Sequence, residues 1–567
     1  MQEIRRLYLY AMSGVTLAVL AAGLRLLVSV LLDALGLSGD QFGGESGNRE
    51  QLSLAGALVG VGLPVWAIHW ALVRRSLRPG APEADEERGS SIRATYLSAV
   101  LAVSLVFAAT AAIDLVGAAL LSVLGVTTVF GGRPDVAGTL ATLVIAGGIW
   151  LFHALVRRVD MAAGPLRHGA AAWPRVYLYG VMLVALVVGI GAIRHLVDAV
   201  AELLTSGAPA FGEGHLQLVV ASQVAITAVM AIAFVAHAWY AERLLDDPGW
   251  RGLSERPALV RVAFFAIVLG LAGVFVLTDL ITAARAILLE VLGDGQAAGE
   301  RFGGQPPSVG RVVVVALLGA LPWLLAGLAV RRQALAEAGR SDQPGRRLSV
   351  ARLEEYLLSV IGLAYGAVAL GWLLGLAIDT LLGGNRVAAL GSGWRPEIAS
   401  FLPAAVFGLA LWAWRWSWIV LRAGANPIRE ADSSIRRIAL LVVLAVSIIA
   451  AVAALAVILH RLFGSLLGID FGGSVVSALS TPLGALIVAA AVAAYHGLLV
   501  RRDGQLRGRQ AGPDAGVATT TTPERPPSFA GPAQRMLVLR APSQAALDAT
   551  LAGVRSGLPA GTRLDDA

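Results

Sequence analysis

Residues 5–32 of the chain read RRLYLYAMSGVTLAVLAAGLRLLVSVLL. Two arginines precede an apolar run from Leu7 to Leu32, and this run is longer than the roughly 20 residues with which a helix crosses the hydrocarbon core of a bilayer. The run is also too long for the apolar region of a cleavable signal peptide. The stretch therefore predicts the first membrane-spanning helix.

A second apolar run, Leu52–Val73, follows and ends on Arg74-Arg75, so the first segment of the chain is predicted to form a helical hairpin with arginine at its start and finish. The pattern recurs about every 85 residues, which indicates an internal repeat. The openings are Arg5-Arg6, Arg93, Arg175, Arg261, Arg352 and Arg436-Arg437, and the closings are Arg74-Arg75, Arg157-Arg158, Arg243, Arg331-Arg332, Arg422 and Arg501-Arg502.

The predicted fold class is all-α integral membrane, with about twelve transmembrane helices arranged as six tandem two-helix hairpin repeats. The predicted hairpins cover residues 1–75, 92–158, 174–243, 258–332, 352–422 and 435–502. Residues 503–534, rich in Gly, Pro, Thr and Arg, are predicted to be a flexible linker, and residues 535–567 a small tail segment. The whole tail is thus short, partly disordered and, by the charge argument below, cytoplasmic.

The composition agrees with a membrane protein. Hydrophobic residues make up 57% of the 567 residues and charged residues only 15%, whereas about a quarter is usual in soluble proteins. The net charge of +7 does not indicate nucleic-acid binding, because the arginines stand at the ends of apolar runs and form no patch. Cysteine is absent, which excludes disulfides, thiolate metal sites and a thiol nucleophile. All basic residues are arginine, a bias typical of GC-rich bacteria.

The distribution of arginine predicts the orientation. Most arginines lie in the loops that join one hairpin to the next, and by the positive-inside rule these loops and both termini are cytoplasmic. The predicted location is therefore the bacterial plasma membrane, with the lipid bilayer as the main partner. The few arginines in the other loops are Arg49, Arg133, Arg301, Arg311, Arg386 and Arg395. Those outer loops carry Phe-Gly-Gly or similar turns at Phe42, Phe130, Phe211, Phe302 and Phe471.

Two motifs carry a family resemblance. The opening Arg5-Arg6-Leu7-Tyr8-Leu9-Tyr10 and the closing Trp66–Arg75 resemble bacterial multi-pass membrane repeats that are catalogued only as a domain of unknown function. The resemblance implies a repeated membrane architecture over nearly everything up to Arg502. It implies no catalytic residue.

Ionisable residues recur about three-quarters of the way along the first helix of each hairpin. Such groups are costly in hydrocarbon and are functional-site candidates by default. One hypothesis is a ring of opposed charges that binds an ion or polar solute, or relays protons. The other is structural: Arg25 and Asp114 pair across neighbouring hairpins, and Arg194 pairs with Asp198 at i, i+4. The candidate network is Arg25, Asp114, Arg194, Asp198, Asp279, Arg285 and Asp379, with His460-Arg461 at the matching place in the sixth hairpin.

Other chemistry-bearing residues have structural interpretations. His69, His153, His237 and His496 lie near the ends of second helices; haem ligation is conceivable, but their unequal offsets from the closing arginines favour interfacial packing. Trp412, Trp414, Trp416 and Trp418 around Arg415 are typical of an aromatic belt. The acidic loop Ser76–Ser91 is predicted to be a solvated linker. No catalytic residue, metal site or cofactor is predicted, because the motifs of hydrolases, zinc proteases and nucleotide-binding loops are absent from the sequence.

Three function classes are compatible with this pattern. The favoured one is a membrane scaffold or assembly component, with a protein partner conceivable for the cytoplasmic tail. The alternative is a transporter or channel for an ion or small polar solute that uses the charged residues of the candidate network. Each hairpin has two spans, so adjacent copies keep one orientation, unlike the inverted repeats of many secondary transporters. An intramembrane enzyme is the least favoured class.

Overall fold

The structure is a computed structural model, and it describes residues 2–36, 44–78, 81, 83–126, 135–162, 168–206, 213–256, 258–293, 308–339, 346–382, 394–467 and 474–510. These residues form helices joined by short turns, with no strand among them. The described part of the chain contains twelve helices that are long and apolar enough to cross a membrane. This confirms the predicted fold class.

The helices fall into three successive sets of five, which we call repeats A, B and C. Repeat A consists of α1 (Gln2–Ala34), α2 (Gly44–Ser76), α3 (Ala84–Arg88), α4 (Ser91–Val123) and α5 (Val136–Ala162). Repeat B consists of α6 (His168–Ser206), α7 (Glu213–Asp246), α8 (Trp250–Glu255), α9 (Leu259–Val291) and α10 (Val309–Gly339). Repeat C consists of α11 (Arg346–Leu382), α12 (Trp394–Ala425), α13 (Pro427–Ala431), α14 (Ser434–Leu466) and α15 (Val475–Gln510).

Each repeat therefore holds two of the six hairpins, joined by a short helix. In the first five hairpins the two long helices pack against each other, as in α1 with α2 and α11 with α12. The first helix of a repeat also packs on its second hairpin: α1 contacts α4 and α5, and α6 contacts α9 and α10. Successive repeats meet in the same way, because α4 contacts α6 and α7, and α9 contacts α11 and α12. The period of the fold is thus two hairpins.

The three largest buried clusters lie at one end of the bundle. We call it the arginine end, because the first helix of every hairpin begins there and the second helix finishes there. In repeat A, Tyr10, Trp70 and Leu97 belong to one buried cluster. Repeat B has an equivalent cluster around Tyr179 and Phe264, and repeat C one around Tyr356 and Trp416. Large apolar side chains such as Ile449 and Val452 are exposed along the middle of the spans, as lipid-facing positions require.

The C-terminal linker begins later in the chain than predicted. The linker predicted to start at residue 503 is wrong at its beginning, since α15 continues to Gln510 and buries the Asp503 side chain. The rest of the predicted linker and the tail segment, residues 511–567, lie outside the described residues. So do the phenylalanines of the predicted outer turns at residues 42, 130, 211, 302 and 471.

Candidate functional site

A buried network of charged residues joins three long helices and the short helix of repeat A. The Nε of Arg6 donates to Glu87 Oε2 at 2.8 Å, and the Tyr10 hydroxyl donates to Glu87 Oε1 at 2.6 Å. The second hairpin contributes Arg93 to the network. Arg93 Nη1 donates to the Tyr10 oxygen at 2.9 Å, and Arg93 Nε donates to Asp160 Oδ2 at 2.8 Å. All five side chains are buried. Two arginines thus face two carboxylates around one tyrosine.

Repeat C contains the same network in the same order. Arg352 donates from Nε and Nη2 to Glu430 Oε2 at 3.0 and 2.7 Å, and the Tyr356 hydroxyl donates to Glu430 Oε1 at 3.2 Å. Arg436 donates from Nη1 to the Tyr356 oxygen at 3.0 Å, and its Nε and Nη2 hold the two carboxylate oxygens of Asp503 at 2.6 and 3.2 Å. Glu430 is 1% exposed, so its charge is fully withdrawn from solvent.

Repeat B keeps the first half of the network. The Nε of Arg175 donates to Glu255 Oε2 at 2.7 Å, and the Tyr179 hydroxyl donates to Glu255 Oε1 at 3.0 Å. Arg261 is buried at the position of Arg93, and its guanidinium carbon lies 5.0 Å from the centre of the Phe265 ring. We call the three copies the charge networks; each places two arginines, a tyrosine and a glutamate at the arginine end of its repeat.

The sequence contains a signal for these networks that the hairpin pattern alone does not reveal. A glutamate stands six residues before the arginine that opens the second hairpin of each repeat, as Glu87 before Arg93; the other two pairs are Glu255 with Arg261 and Glu430 with Arg436. The short helix α3 turns Glu87 inward, where it is 4% exposed. The prediction that Ser76–Ser91 is merely a solvated linker is therefore wrong at Glu87.

The repeated histidines have hydrogen bonds that account for both ring nitrogens in three cases. Each Nδ1 lies within 2.9 Å of the carbonyl oxygen four residues earlier on its own helix, for His69, His153, His237 and His496. The Nε2 atoms of the first three face the hydroxyls of Tyr8, Tyr96 and Tyr177 at 3.5, 3.3 and 3.2 Å. Such pairing supports a packing role, and within the described residues no three His, Cys, Asp or Glu side chains are grouped as a metal site.

The predicted candidate residues lie toward the opposite end of the bundle, where the structure connects them differently. Arg194 of α6 donates from Nη1 to Asp279 Oδ1 of α9 at 2.5 Å. Asp198, the predicted i, i+4 partner of Arg194, instead accepts from Arg311 of α10 at 2.9 Å, and Glu202 accepts from the same guanidinium at 3.1 Å. The predicted pairing within α6 is therefore wrong, because the helix faces of α9 and α10 supply closer partners.

The predicted pair between Arg25 and Asp114 does not form either. The Nε of Arg25 donates to the Thr142 hydroxyl of α5 at 2.8 Å, and Asp114 is exposed on α4. Contact between α1 and α5 brings Thr142 rather than Asp114 to Arg25. Arg285, another candidate, donates from Nε to the Ser400 hydroxyl of α12 at 3.0 Å.

In repeat C the candidate residues meet the start of α15. Asp379, which is 2% exposed, accepts from the Ser477 hydroxyl at 2.7 Å. Arg461 donates from Nη1 to the Ala478 carbonyl at 2.7 Å. The structure thus pairs Arg194 with Asp279. It places Asp379 and Arg461 in contact with residues of α15. It does not bring the seven predicted candidates together as one ring.

Removal of Arg194 and removal of Asp279 are expected to lower the stability of the protein by different amounts. Asp279 is fully buried, whereas the Arg194 side chain is 37% exposed and can reach a headgroup or water by itself. We expect Arg194→Ala to lower the free energy of unfolding by about 3 kcal/mol, because it leaves a buried carboxylate without its partner. Asp279→Ala should cost about 1 kcal/mol.

Unfolding of the purified protein in mixed micelles, titrated with a denaturing detergent, measures both values. Arg311→Ala is a control for loss of an arginine at the same end of the bundle, because its partners Asp198 and Glu202 are 47% and 21% exposed and are left with less of a burial penalty than Asp279. Equal losses for Arg194→Ala and Asp279→Ala would contradict the assignment of the burial penalty to Asp279.

The comparisons with known proteins agree with the repeat seen in the structure. Residues 6–147 and 352–491 match the model of a family described as Domain of unknown function (DUF5671). The two matches begin at Arg6 and Arg352, the equivalent arginines of the charge networks, and repeat B between them has the same helix order. The predicted resemblance is therefore confirmed. No curated protein and no solved structure matches the chain.

Proposed function

We propose that this chain, which carries two DUF5671 domains in a membrane protein of twelve candidate spans, is a membrane scaffold rather than a transporter or an enzyme. The observation that supports the proposal is the charge network at the arginine end of each repeat. A scaffold needs helices held at fixed positions, and each network ties together helices that are far apart in the sequence. The proposal keeps the orientation predicted from arginine, with this end and the tail in the cytoplasm.

The energetics of the networks favour a static bundle. Glu87 joins Arg6 and Tyr10 to the short helix, and Tyr10 joins the first hairpin to Arg93 of the second. Separating the hairpins would leave charges unpaired where water is scarce, at a cost of several kcal/mol for each network. Alternating access by movement of one hairpin against its neighbour would have to break such contacts. The repetition of the network therefore opposes the motion that transport requires.

A second candidate, transport of a cation or proton, has one observation in its favour. The Oδ2 atom of Asp279 is buried and accepts no hydrogen bond from the described residues, although Oδ1 is bound by Arg194. In a membrane helix, a buried carboxylate with one oxygen that accepts no hydrogen bond can take up a proton or bind a cation. This candidate predicts that Asp279 controls flux.

Flux through proteoliposomes separates the two candidates. We expect the purified protein to move H⁺, Na⁺ and K⁺ no faster than protein-free vesicles, measured with ion-sensitive dyes under an imposed gradient. Asp279→Asn should change stability without changing this baseline. Flux several-fold above the baseline that Asp279→Asn abolishes and Asp114→Asn preserves would establish transport and overturn the scaffold proposal. Asp114 is the matched control, because it is an exposed aspartate on α4, the helix of repeat A that corresponds to α9.

The absence of cysteine allows a second arm of the same experiment. Spin labels at Leu204→Cys on α6 and Leu381→Cys on α11, both highly exposed, report the separation of repeats B and C. A scaffold should give one narrow distance distribution that an ion gradient leaves unchanged. Two distributions whose populations shift with the gradient would contradict a static bundle.

A further inference from the structure

Both junctions between repeats contain an apolar groove. The groove between repeats A and B has a volume of about 340 Å³ and is lined by α4, α6 and α7, from Ser98 and Ala102 to Val181 and Met230. The groove between repeats B and C is larger, about 500 Å³, and is lined by α9, α10, α11 and α12. Both volumes fall in the range of small-molecule sites, roughly 300–1,000 Å³. The two grooves differ in their polar residues.

Only the larger of these two grooves contains charged side chains in its lining. At its end nearest the arginine end, Glu354 of α11 lies between two arginines: Arg331 Nε donates to Glu354 Oε2 at 2.7 Å, and Arg415 Nη1 lies 3.4 Å from Glu354 Oε1. One carboxylate thus faces two guanidinium groups, which leaves an excess positive charge among the three residues. We call these residues the groove triad.

The two arginines of the groove triad carry more N–H donors than the Glu354 carboxylate uses. Each guanidinium carries five N–H groups, and the Nε of Arg415 is buried without an acceptor among the described residues. The Arg415 guanidinium carbon also lies 4.1 Å from the centre of the Trp414 ring, which is exposed beside the groove. An arginine held against a tryptophan is typical of the headgroup region of a membrane. A negatively charged hydrogen-bond acceptor would pair with these N–H groups and balance the excess positive charge.

The groove continues from the triad into the apolar part of the bundle. Its wall on α9 extends from Leu269 to Leu280, about 16 Å at 1.5 Å per residue. This length is close to half of the roughly 30 Å hydrocarbon core, the depth of one leaflet. Gly273 and Gly327 are among the residues that line this path. Its shape suits an extended acyl chain with its polar end at the triad.

We propose that the groove between repeats B and C binds an anionic phospholipid from the arginine-end leaflet, with its phosphate at Arg415 and Arg331 and one acyl chain between α9 and α12. Basic pockets between membrane helices recognise anionic headgroups in this way. The groove between repeats A and B, which contains no charged residue in its lining, accepts acyl chains without headgroup selectivity. The site goes beyond the scaffold proposal, because it does not depend on whether the protein transports ions.

Native mass spectrometry of the purified protein, titrated with phosphatidylglycerol or phosphatidylcholine of the same chains, tests the proposal. We expect one phosphatidylglycerol to bind at least several-fold more tightly than phosphatidylcholine. Arg415→Gln should weaken this binding about tenfold, because charge-assisted hydrogen bonds to the phosphate are lost. Arg437→Gln is the matched control, since Arg437 is an exposed arginine at the arginine end but outside the groove. Equal effects of the two variants would overturn the proposal.

Two further variants distinguish a lipid site from a merely structural triad. Glu354→Gln removes the competing carboxylate, so phosphatidylglycerol should bind more tightly and raise the thermal unfolding temperature more than in the unaltered protein. A structural role alone would give lower stability at every lipid concentration. Ala410→Phe narrows the groove beside Leu411 and should weaken phosphatidylglycerol binding without a change of charge. Inorganic phosphate should not stabilise the protein; stabilisation equal to that by phosphatidylglycerol would overturn the assignment to a lipid.

Discussion

Glu430→Gln is expected to lower the free energy of unfolding by about 3–5 kcal/mol, the usual loss when one partner of a buried ion pair is removed. Glu430 is 1% exposed and accepts three hydrogen bonds, two from Arg352 and one from Tyr356. The amide has nearly the same size but no charge, so Arg352 remains buried without its anion. Unfolding in mixed micelles, followed by intrinsic tryptophan fluorescence, measures the loss.

The matched control is Asp432→Asn, two residues further on. Asp432 is exposed in the same turn, and its neutralisation should change stability by no more than about 0.5 kcal/mol. Arg352→Gln combined with Glu430→Gln should cost less than the sum of the two single variants, because neither residue then leaves a buried charge. Additive losses in the double variant would show that Glu430 stabilises the fold by something other than its pairing with Arg352.

The fold could be predicted from the sequence because the bilayer restricts which backbone conformations can cross it. Apolar runs such as Leu7–Leu32 can only be helices in lipid, and arginines at both ends of each hairpin mark where the spans begin and finish. The structure confirms these helices. The longer repeat of two hairpins was harder to predict from the sequence, because every hairpin has the same pattern of apolar runs. Glu87, Glu255 and Glu430, one in each repeat, mark the connection from a first hairpin to a second.

Partners of charged residues could not be predicted from spacing along one helix. Arg194 and Asp198 have the correct separation to pair, yet each finds a partner on a different helix. The choice depends on how α6 is rotated against α9 and α10, and this rotation is determined by packing over the whole length of the helices. The same limit applies to Arg25, whose neighbour Thr142 is 117 positions away in the sequence and carries no charge to indicate the contact.

The second large effect concerns close packing of helices rather than charge. Gly408 of α12 crosses α11 between Gly362 and Gly366, and a Cβ at Gly408 would lie 2.5 Å from the Gly366 nitrogen and 2.9 Å from the Gly362 oxygen. Small residues allow such backbone contact between membrane helices. Because both obstructing atoms belong to the backbone, no side-chain rotation can relieve the clash. We expect Gly408→Ala to cost about 3 kcal/mol, at the upper end for an inserted methyl group.

The same helix offers a control with the opposite expectation. Gly424 of α12 has no atom within 4 Å of its Cβ position, so Gly424→Ala meets no obstacle, and the higher helix propensity of alanine should leave stability unchanged or raised by up to about 1 kcal/mol. Gly273→Ala provides an intermediate case, because its nearest obstruction is the flexible Leu358 Cδ2 at 2.7 Å, which can move aside. The order of losses should therefore be Gly408, then Gly273, then Gly424. If Gly408→Ala were as mild as Gly424→Ala, α11 and α12 would not be in backbone contact, and the bundle of repeat C would have to be packed more loosely than its glycines imply.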